Sequence, residues 1–487
     1  MADELKTKRI LCGRKVIYTD ADVITPANVI DVLVRSQGKH ETNRADTEYL
    51  YRYYRGLQPI LAKTKTYNEY VNNRIVVNRA NEIVTFKTSF LMSEPVQYTA
   101  RKADSNITDA ITQLNDYCYS EFKDTKDVAL ADWFHICGTA YRMILPDPVG
   151  AEDDSPFEIY TLDPRNTYVV YHSGLGHKPM MGVTFVERED IGDIVYSVYT
   201  EDAYYEIINN QITRFEYHYL GDIPIIEYPA NESRLGAFEI VIDLLDAISK
   251  VESNRLDAVE QFVQSLMILK GIDIDDEAFW NLKELGGIKV PVDGDVEYLT
   301  QEMNQQQSQT LSDAMYDAVL SICGIPCTSD GSTSDSSNNG ATIVRNGWQH
   351  AEARAKDSER MFKMSEKRFL KIALKICGIL GDLNLKVGDI DITFTRRYYE
   401  NNLQKAQTLI SMLSSNKIHP RLAFIHSGLF IDPESAYRMS DEYAQEQEKK
   451  AAEMLEKQAE ISENNEDEKS EGDSNDEKDS KELPDEV

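Results

Sequence analysis

Between Gly236 and Leu380 the chain runs long helix, small β-rich insertion, shorter helix, polar loop and long helix, with no catalytic motif in that series. Residues 237–269 (AFEIVIDLLDAISKVESNRLDAVEQFVQSLMIL) set apolar side chains at Val241, Leu244, Ile248, Val251, Val259, Phe262 and Leu266. The spacing is mostly three and four, which draws one apolar stripe along a helix. Asp243, Asp246, Lys250, Glu252 and Glu260 fall away from that stripe. At ~1.5 Å per residue such a helix is roughly 45–50 Å long, more than a compact domain usually needs. A second helix, about Gln306–Cys323, follows the insertion and returns along the first. Long paired helices with one apolar face each point to neighbours supplied by other subunits, so this region reads as architecture.

The 487 residues allow two to four domains and a sizeable core. A net charge of −31 is the unusual quantity, because a strongly acidic protein repels phosphate and does not wrap nucleic acid tightly. Such a field still permits DNA to pass through a hole without being held. Residues 461–487 carry 12 acidic and 3 basic side chains, a net −9, which leaves −22 on the rest. Cys12, Cys118, Cys137, Cys323, Cys327 and Cys377 are scattered, as expected of reduced thiols in a cytosol. Cys323 and Cys327 lack the second pair or nearby histidine that a zinc site requires. The charged start MADELKTKRILCGRK has no apolar core and is not expected to be a targeting peptide. Apolar runs are too short for a membrane span, so a soluble protein without a membrane partner is expected.

Residues 1–50 hold a basic segment and a helix beginning near Thr25-Pro26. In the aromatic tract 48–99, Ile75, Val76, Ile83, Val84 and Phe86 predict a helix that closes into a strand at Val96–Thr99. Helices follow at about Ile107–Glu121 and Asp127–Gly138. Residues 139–229 alternate strand-like runs with turns: TAYRMIL, EIYTL, TYVVY, MGVTFVE, IVYSVYT, YYEII, RFEYHYL and PIIEY. These make a mixed α+β domain of about 230 residues, to whose sheet a late strand at Asp389–Arg396 returns. Residues 402–460 are helical, and the tail from Ile461 has a composition that predicts disorder.

Enzyme signatures are absent. Gly38-Lys39 is the nearest approach to a phosphate-cradling loop, but His40 stands where Ser or Thr would bind magnesium and Leu33 where a glycine is needed. No nucleophile elbow, His-Glu-x-x-His helix or dinucleotide fingerprint occurs, and His135 on an apolar helix suits a structural role. No enzyme and no cofactor are expected. Asp273, Asp275 and Asp276 are the crowded carboxylates a metal-dependent nucleic-acid enzyme would use, yet a strand would put 276 on the opposite face from 273 and 275.

On the helix over 341–380, Arg345, Arg354, Lys356, Arg360, Lys363, Lys367, Arg368, Lys371 and Lys375 outnumber Glu352, Asp357, Glu359 and Glu366. That face is either solvated, paired with acidic surface on an adjacent subunit, or set against DNA. Ile343, Trp348, Met361, Phe362, Phe369, Ile372, Leu374 and Ile376 supply its buried stripe.

The tract YYRGLQPIL (53–61) followed by NNRIVVNRANEIVTFKTSFLMSEPVQY (72–98) resembles the N-terminal signature of phage portal proteins of the SPP1 type. That signature has an aromatic-Gly turn, an Asn-Arg-Ile-Val-x-Asn helix start and a Gly-x-Pro strand entry, for which this chain has Ser93-Glu94-Pro95. ICGTAYRMILPD (136–147) is similar to the family's Gly-x-Ala-Tyr strand start, and GDIPIIEYPANESRLGAFEIVIDLLDAIS (221–249) to its junction into a stem helix. The resemblance spans most of residues 48–400 in order.

It implies an α+β portal fold with α/β wing, long-helix stem, small β clip and helical crown, assembled as a ring-shaped homo-oligomer, typically of twelve subunits. By order along the chain, 1–235 and about 385–400 are wing, 236–267 and 306–324 stem helices, 268–305 clip and 325–340 a tunnel loop. Residues 341–380 are then a long wing helix, 401–460 the crown and 461–487 an acidic tail. Double-stranded DNA would cross the channel without sequence specificity. The loop residues Thr328, Ser329, Asp330, Ser332, Thr333, Ser334, Asp335, Ser336, Ser337, Asn338 and Asn339 would line it with weak, sequence-blind contacts. A surface linker is the plainer reading of that loop, and its acids do not match a calcium loop. The clip acids Asp273, Asp275, Asp276, Glu277, Asp293 and Asp295 would form an acidic rim that docks terminase and then head-completion or adaptor proteins. Major capsid and scaffolding proteins are further partners, and the protein belongs in host cytoplasm during assembly and at the virion's portal vertex. Another structural or scaffolding protein of the head, which would not close into a ring, is the alternative.

Overall fold

All eight runs named above over 139–229 form strands, and while several turn one side inward, TAYRMIL and PIIEY are buried on both. The computed structural model describes residues 11–64, 71–101, 105–150, 154–188, 192–263, 266–270, 295–299, 305–326, 347–381, 383–396, 402–415, 417–430 and 432–470. It divides into two units, Met1–Arg397 and Tyr398–Val487.

The first unit opens with β1 (Ile17–Thr19), α1 (Val29–Tyr54), α2 (Arg79–Leu91), β2 (Gln97–Ala100), α3 (Ser105–Ser120) and α4 (Lys123–Cys137). Then come β3 (Thr139–Pro146), β4 (Phe157–Leu162), β5 (Thr167–His172), β6 (Pro179–Glu187), β7 (Ile194–Tyr199), β8 (Ala203–Ile208), β9 (Gln211–Tyr217) and β10 (Ile225–Pro229). A six-stranded sheet has the order β1-β5-β6-β7-β8-β9, with β1 parallel to β5 and the others antiparallel. Asn209 and Asn210 both have positive φ, the two-residue turn that matches strand twist, and they join β8 to β9. On the core face, Val29, Val32 and Leu33 of α1 pack with Val170, Met181, Val183, Val198 and Tyr205.

A three-stranded sheet, β10-β3-β4, supports the other core. Against it lies α7 (Trp348–Leu380), whose buried Phe362, Phe369, Leu370, Ile372 and Ile376 meet Phe134, Ile144, Phe157 and Tyr228. The late strand β13 (Ile390–Thr393) does return to the first domain, but it pairs antiparallel with β2 in a ribbon of two and joins neither larger sheet. Between β10 and α7 run α5 (Ile242–Val263), β11 (Leu266–Lys270), β12 (Asp295–Leu299) and α6 (Gln305–Cys323).

Gly138 ends α4 with φ +74°, its N–H donating to the Phe134 carbonyl at 3.1 Å. A Cβ there would run into the Arg234 backbone carbonyl. Gly138→Ala is therefore expected to cost about 3 kcal/mol or more, a left-handed penalty plus a displaced backbone. Thermal unfolding of the purified variant checks this, and an unchanged midpoint would refute it.

The second unit holds α8 (Asn402–Leu413), α9 (Pro420–Ser427) and α10 (Pro433–Ser470) around a small core of Leu409, Ala423 and Phe424. The helix α10 continues about ten residues past Ile461, where disorder was expected. Low hydrophobicity argues against a buried core, whereas the Glu, Lys, Gln and Ala that fill residues 445–460 are strong helix formers and carry the helix into the Glu-rich run that follows. Pairs such as Arg438–Glu442 and Lys450–Glu446 add support one turn apart.

Candidate assembly site

The approach to α5 begins in a knot of buried polar groups. The Glu239 carboxylate accepts the Gly13 N–H at 2.9 Å, the Gly236 N–H at 2.8 Å and the Arg14 guanidinium at 2.6 Å. After a 3-10 turn at Glu239–Val241, α5 sets off with Ile242, Leu245 and Ile248 buried against Val319 and Cys323 of α6 and Tyr53, Ile83 and Val84. Ser312 donates to Glu252 at 2.7 Å while the Cys323 thiol points at the Ala237 carbonyl at 3.7 Å, so α6 runs back along α5.

Of the stripe residues expected to pack this helix, Val241 and Ile248 are buried, Leu244 and Val251 half-buried, and Val259 is 37 % exposed. Phe262 lies on the last turn, its side chain outside the described residues. Leu266 is not on the helix. It starts β11, opposite Leu299 in an antiparallel pair that runs to Lys270 opposite Asp295. The run Leu266–Leu269 is continuously apolar and satisfies either period, and a partner strand 29 residues away decides in favour of β.

Beyond Ile248 the buried side of α5 turns polar. Ser249, Ser253 and Asp257, one turn apart, accept the backbone N–H groups of Val77 (3.3 Å), Ile75 (2.9 Å) and Asn73 (2.6 Å). Two extended residues advance ~6.6 Å and four helical residues ~6.0 Å, so the two periods stay in step over three contacts. Asp257 also receives Lys63 at 2.7 Å and the Asn73 amide at 2.9 Å. Ile75 and Val76, expected in a helix, are therefore extended. The helix α2 starts only after Asn78, whose side chain accepts the Asn81 N–H.

The long helix α7 hides a second polar group among its apolar residues. Glu366 is fully buried and takes hydrogen bonds from Tyr98 and Tyr228 (2.6 Å each), with Lys123 at 2.8 Å and Arg142 at 3.2 Å. Asp127 completes the cluster, bonded to Lys123 at 2.7 Å and to Arg142. Burial opposes the charge on Glu366, but the two cations outweigh it and hold the carboxyl at about 2. Sequence reading counted Glu366 among surface acids. The available signal was its position, four residues after Phe362 and three before Phe369.

Much of the basic face of α7 is already paired within the chain. Lys356 meets Glu352 at 3.6 Å, Lys363 meets Glu359 at 2.6 Å, and Arg368 and Lys371 reach Asp222 at 3.5 and 2.9 Å. An adjacent subunit is thus not needed to neutralise those four. His135 is buried against the Thr88 hydroxyl at 3.1 Å, and burial, with the nearby Lys87 charge, lowers its pKa to about 3.

Several expected site residues lie outside the described residues: the loop set from Thr328 to Asn339, the acids Asp273, Asp275, Asp276, Glu277 and Asp293, and Cys327 and Arg345. Asp295 opens β12. Among the described residues no three His, Cys, Asp or Glu side chains group to hold a metal, and no helix is long and apolar enough to cross a membrane.

A family model described as "Phage portal protein, SPP1 Gp6-like" matches residues 35–465. The chain belongs to this phage portal protein family. A relative named portal protein, from Bacillus phage SPP1, is 22 % identical over 423 residues, covering 79 % of this chain and 80 % of that protein. The chain is also similar to a solved chain titled "Neck of empty GTA particle computed with C6 symmetry" (12 % identity, TM-score 0.45). Another is titled "Virion of native gene transfer agent (GTA) particle" (12 % identity, TM-score 0.42). Each match covers 79 % of this chain and 94 % of the other. In this portal-family chain the zipper on 73–77 gives a physical role to the NNRIVVN tract: its backbone, not its side chains alone, is what α5 binds.

Proposed function

We propose that the chain is the subunit of a homo-oligomeric ring of about a dozen copies at one vertex of a phage head, the channel through which double-stranded DNA is packaged and ejected. Family membership supports this, and the observation that carries it is the α5–α6 pair. One side of that pair is buried in its own chain, while Leu256 (38 %), Val259 (37 %) and Leu311 (53 %) remain exposed. Apolar residues along paired long helices gain burial from a further copy.

In this reading the function is positional and needs no catalysis. Residues 1–235 and 385–400 form the wing, with the long helix of 341–380, and α5 and α6 form the stem. The 268–305 region is the clip that docks terminase and later the adaptor proteins, 325–340 is the tunnel loop, and 401–460 is the crown. Major capsid and scaffolding proteins surround the ring. A net charge of −31 keeps the duplex from adhering, and polar loops touch it lightly.

Native mass spectrometry with negative-stain imaging tests the ring. A closed assembly with an axial hole is expected, and a monomer or open oligomer would refute it. Deleting residues 329–338 is expected to leave the ring intact while DNA packaging in an assembly assay falls. Loss of rings in that variant would make the loop structural.

A further inference from the structure

We propose that a cationic cleft where α2, α6 and α7 meet seats a carboxylate-bearing segment of a second copy of this chain, an inference that rests on the ring assembly above. The cleft has a volume of about 490 Å³ and lies within the first unit. Lys87 of α2 and Arg354 of α7 enter it, and neither has a carboxylate partner in the chain among the described residues. Of the acids on its walls, Asp357 is engaged by Arg360 at 2.9 Å, and no ion pair joins Glu232 to either cation among the described residues.

Arg354 is exposed, but its stem packs on the end of α6. Its Cγ lies against Gly324, 2.8 Å from where a Cβ would sit, and Gly324 has φ +69°. Glycine there closes α6 with the Ile325 N–H on the Leu320 carbonyl at 2.9 Å and leaves room for the arginine stem. The carbonyl end of α6 offers these cations only partial negative charge. Burial lowers the Lys87 pKa and the nearby Arg354 adds to that, against an opposing effect of Cys323.

The occupant follows from the rim and the charge. Ile240 and Ile322 stand 57 % and 44 % exposed beside the two cations, so the cleft suits an acid flanked by apolar side chains. A polypeptide supplies that combination, and a phosphate backbone does not. With 83 acids against 52 bases, a second copy presents carboxylates in excess, and pairing these two cations with them relieves repulsion between neighbours.

Carbodiimide crosslinking of rings assembled from mixed isotope-labelled and unlabelled chains tests this, because it joins an amine directly to a carboxylate. A mixed-isotope crosslink from Lys87 to an Asp or Glu is expected. The Lys87→Glu/Arg354→Glu variant should need about tenfold more protein to assemble. Lys87→Met/Arg354→Met, with circular dichroism on both, separates lost pairing from lost folding. Rings whose Lys87 links only within its own chain, or charge-reversed chains that fold and assemble like the parent, would overturn this inference and leave the ring standing. Reversed rings that stay intact but lose duplex binding would overturn it in favour of phosphate contact. Absence of rings from the parent chain would overturn both.

Discussion

Glu366→Ala is expected to lower the thermal unfolding midpoint by about 5 °C. Removing that carboxylate leaves Lys123 and Arg142 sharing Asp127 alone, in a site where the side chains are 0–4 % exposed. Breaking a buried ion cluster by deleting one partner costs about 3–5 kcal/mol, and each kcal/mol moves a unit as large as Met1–Arg397 by about 1 °C. Replacing Glu366 and Arg142 together by leucine should recover part of the loss, since Lys123 and Asp127 then remain a neutral pair. A shift below about 2 °C for the single variant would show that the cluster contributes register and little stability.

The pH dependence has a definite sign. His135 and His40 are held by burial at about 3 and about 4, against an ordinary 6.5. Because the unfolded chain takes up these protons first, stability begins to fall as pH drops below about 6.5. Glu366 is held below its ordinary 4.5, so its contribution is complete above about 4.5 and is lost as pH falls toward about 2. Denaturant titrations across that range should therefore steepen below about 4.5, and Glu366→Gln should remove only its share of that lower window.

Asp257→Ala is expected to detach residues 73–77 from α5. The variant leaves the Lys63 ammonium and the Asn73 N–H without their acceptor, in a place where Asp257 is 3 % exposed. A buried charge and donor left unpaired cost about 2–4 kcal/mol, so hydrogen exchange at Asn73 and Ile75 should accelerate about a hundredfold. Ser253→Ala removes a neutral bond and should cost about 1 kcal/mol. Exchange at Ile75 that is unchanged in Asp257→Ala would mean the extended segment is held by Ser249 and Ser253 alone.

The zipper also marks where reading by period stops. The strands of 139–229 and the helix of 348–380 were legible because several of the strands, and the helix, bury one face against a core and so repeat their apolar residues at two or at three to four. Tyr98, Lys123, Asp127, Arg142 and Glu366 come from four elements, β2, α4, β3 and α7, and nothing local announces that they meet. Ser249, Ser253 and Asp257 look like the solvent side of an amphipathic helix, because serine and aspartate are read as polar wherever they stand. What buries them is a strand-like segment with backbone donors to satisfy.

The amino-acid sequence by itself determined the order of elements, the apolar stripe through Val241 and Ile248, the acidic balance and, through its motif set, the family. These properties are carried by neighbours in the chain, where period and composition act. Only the tertiary structure decided that Leu266 leaves the helix for a strand, that Glu366 is a buried anion, and that Lys87 and Arg354 share a cleft with no ion pair to either among the described residues. Those outcomes depend on groups tens to hundreds of residues apart, whose hydrogen bonds and charges acquire their value only when folding removes water between them.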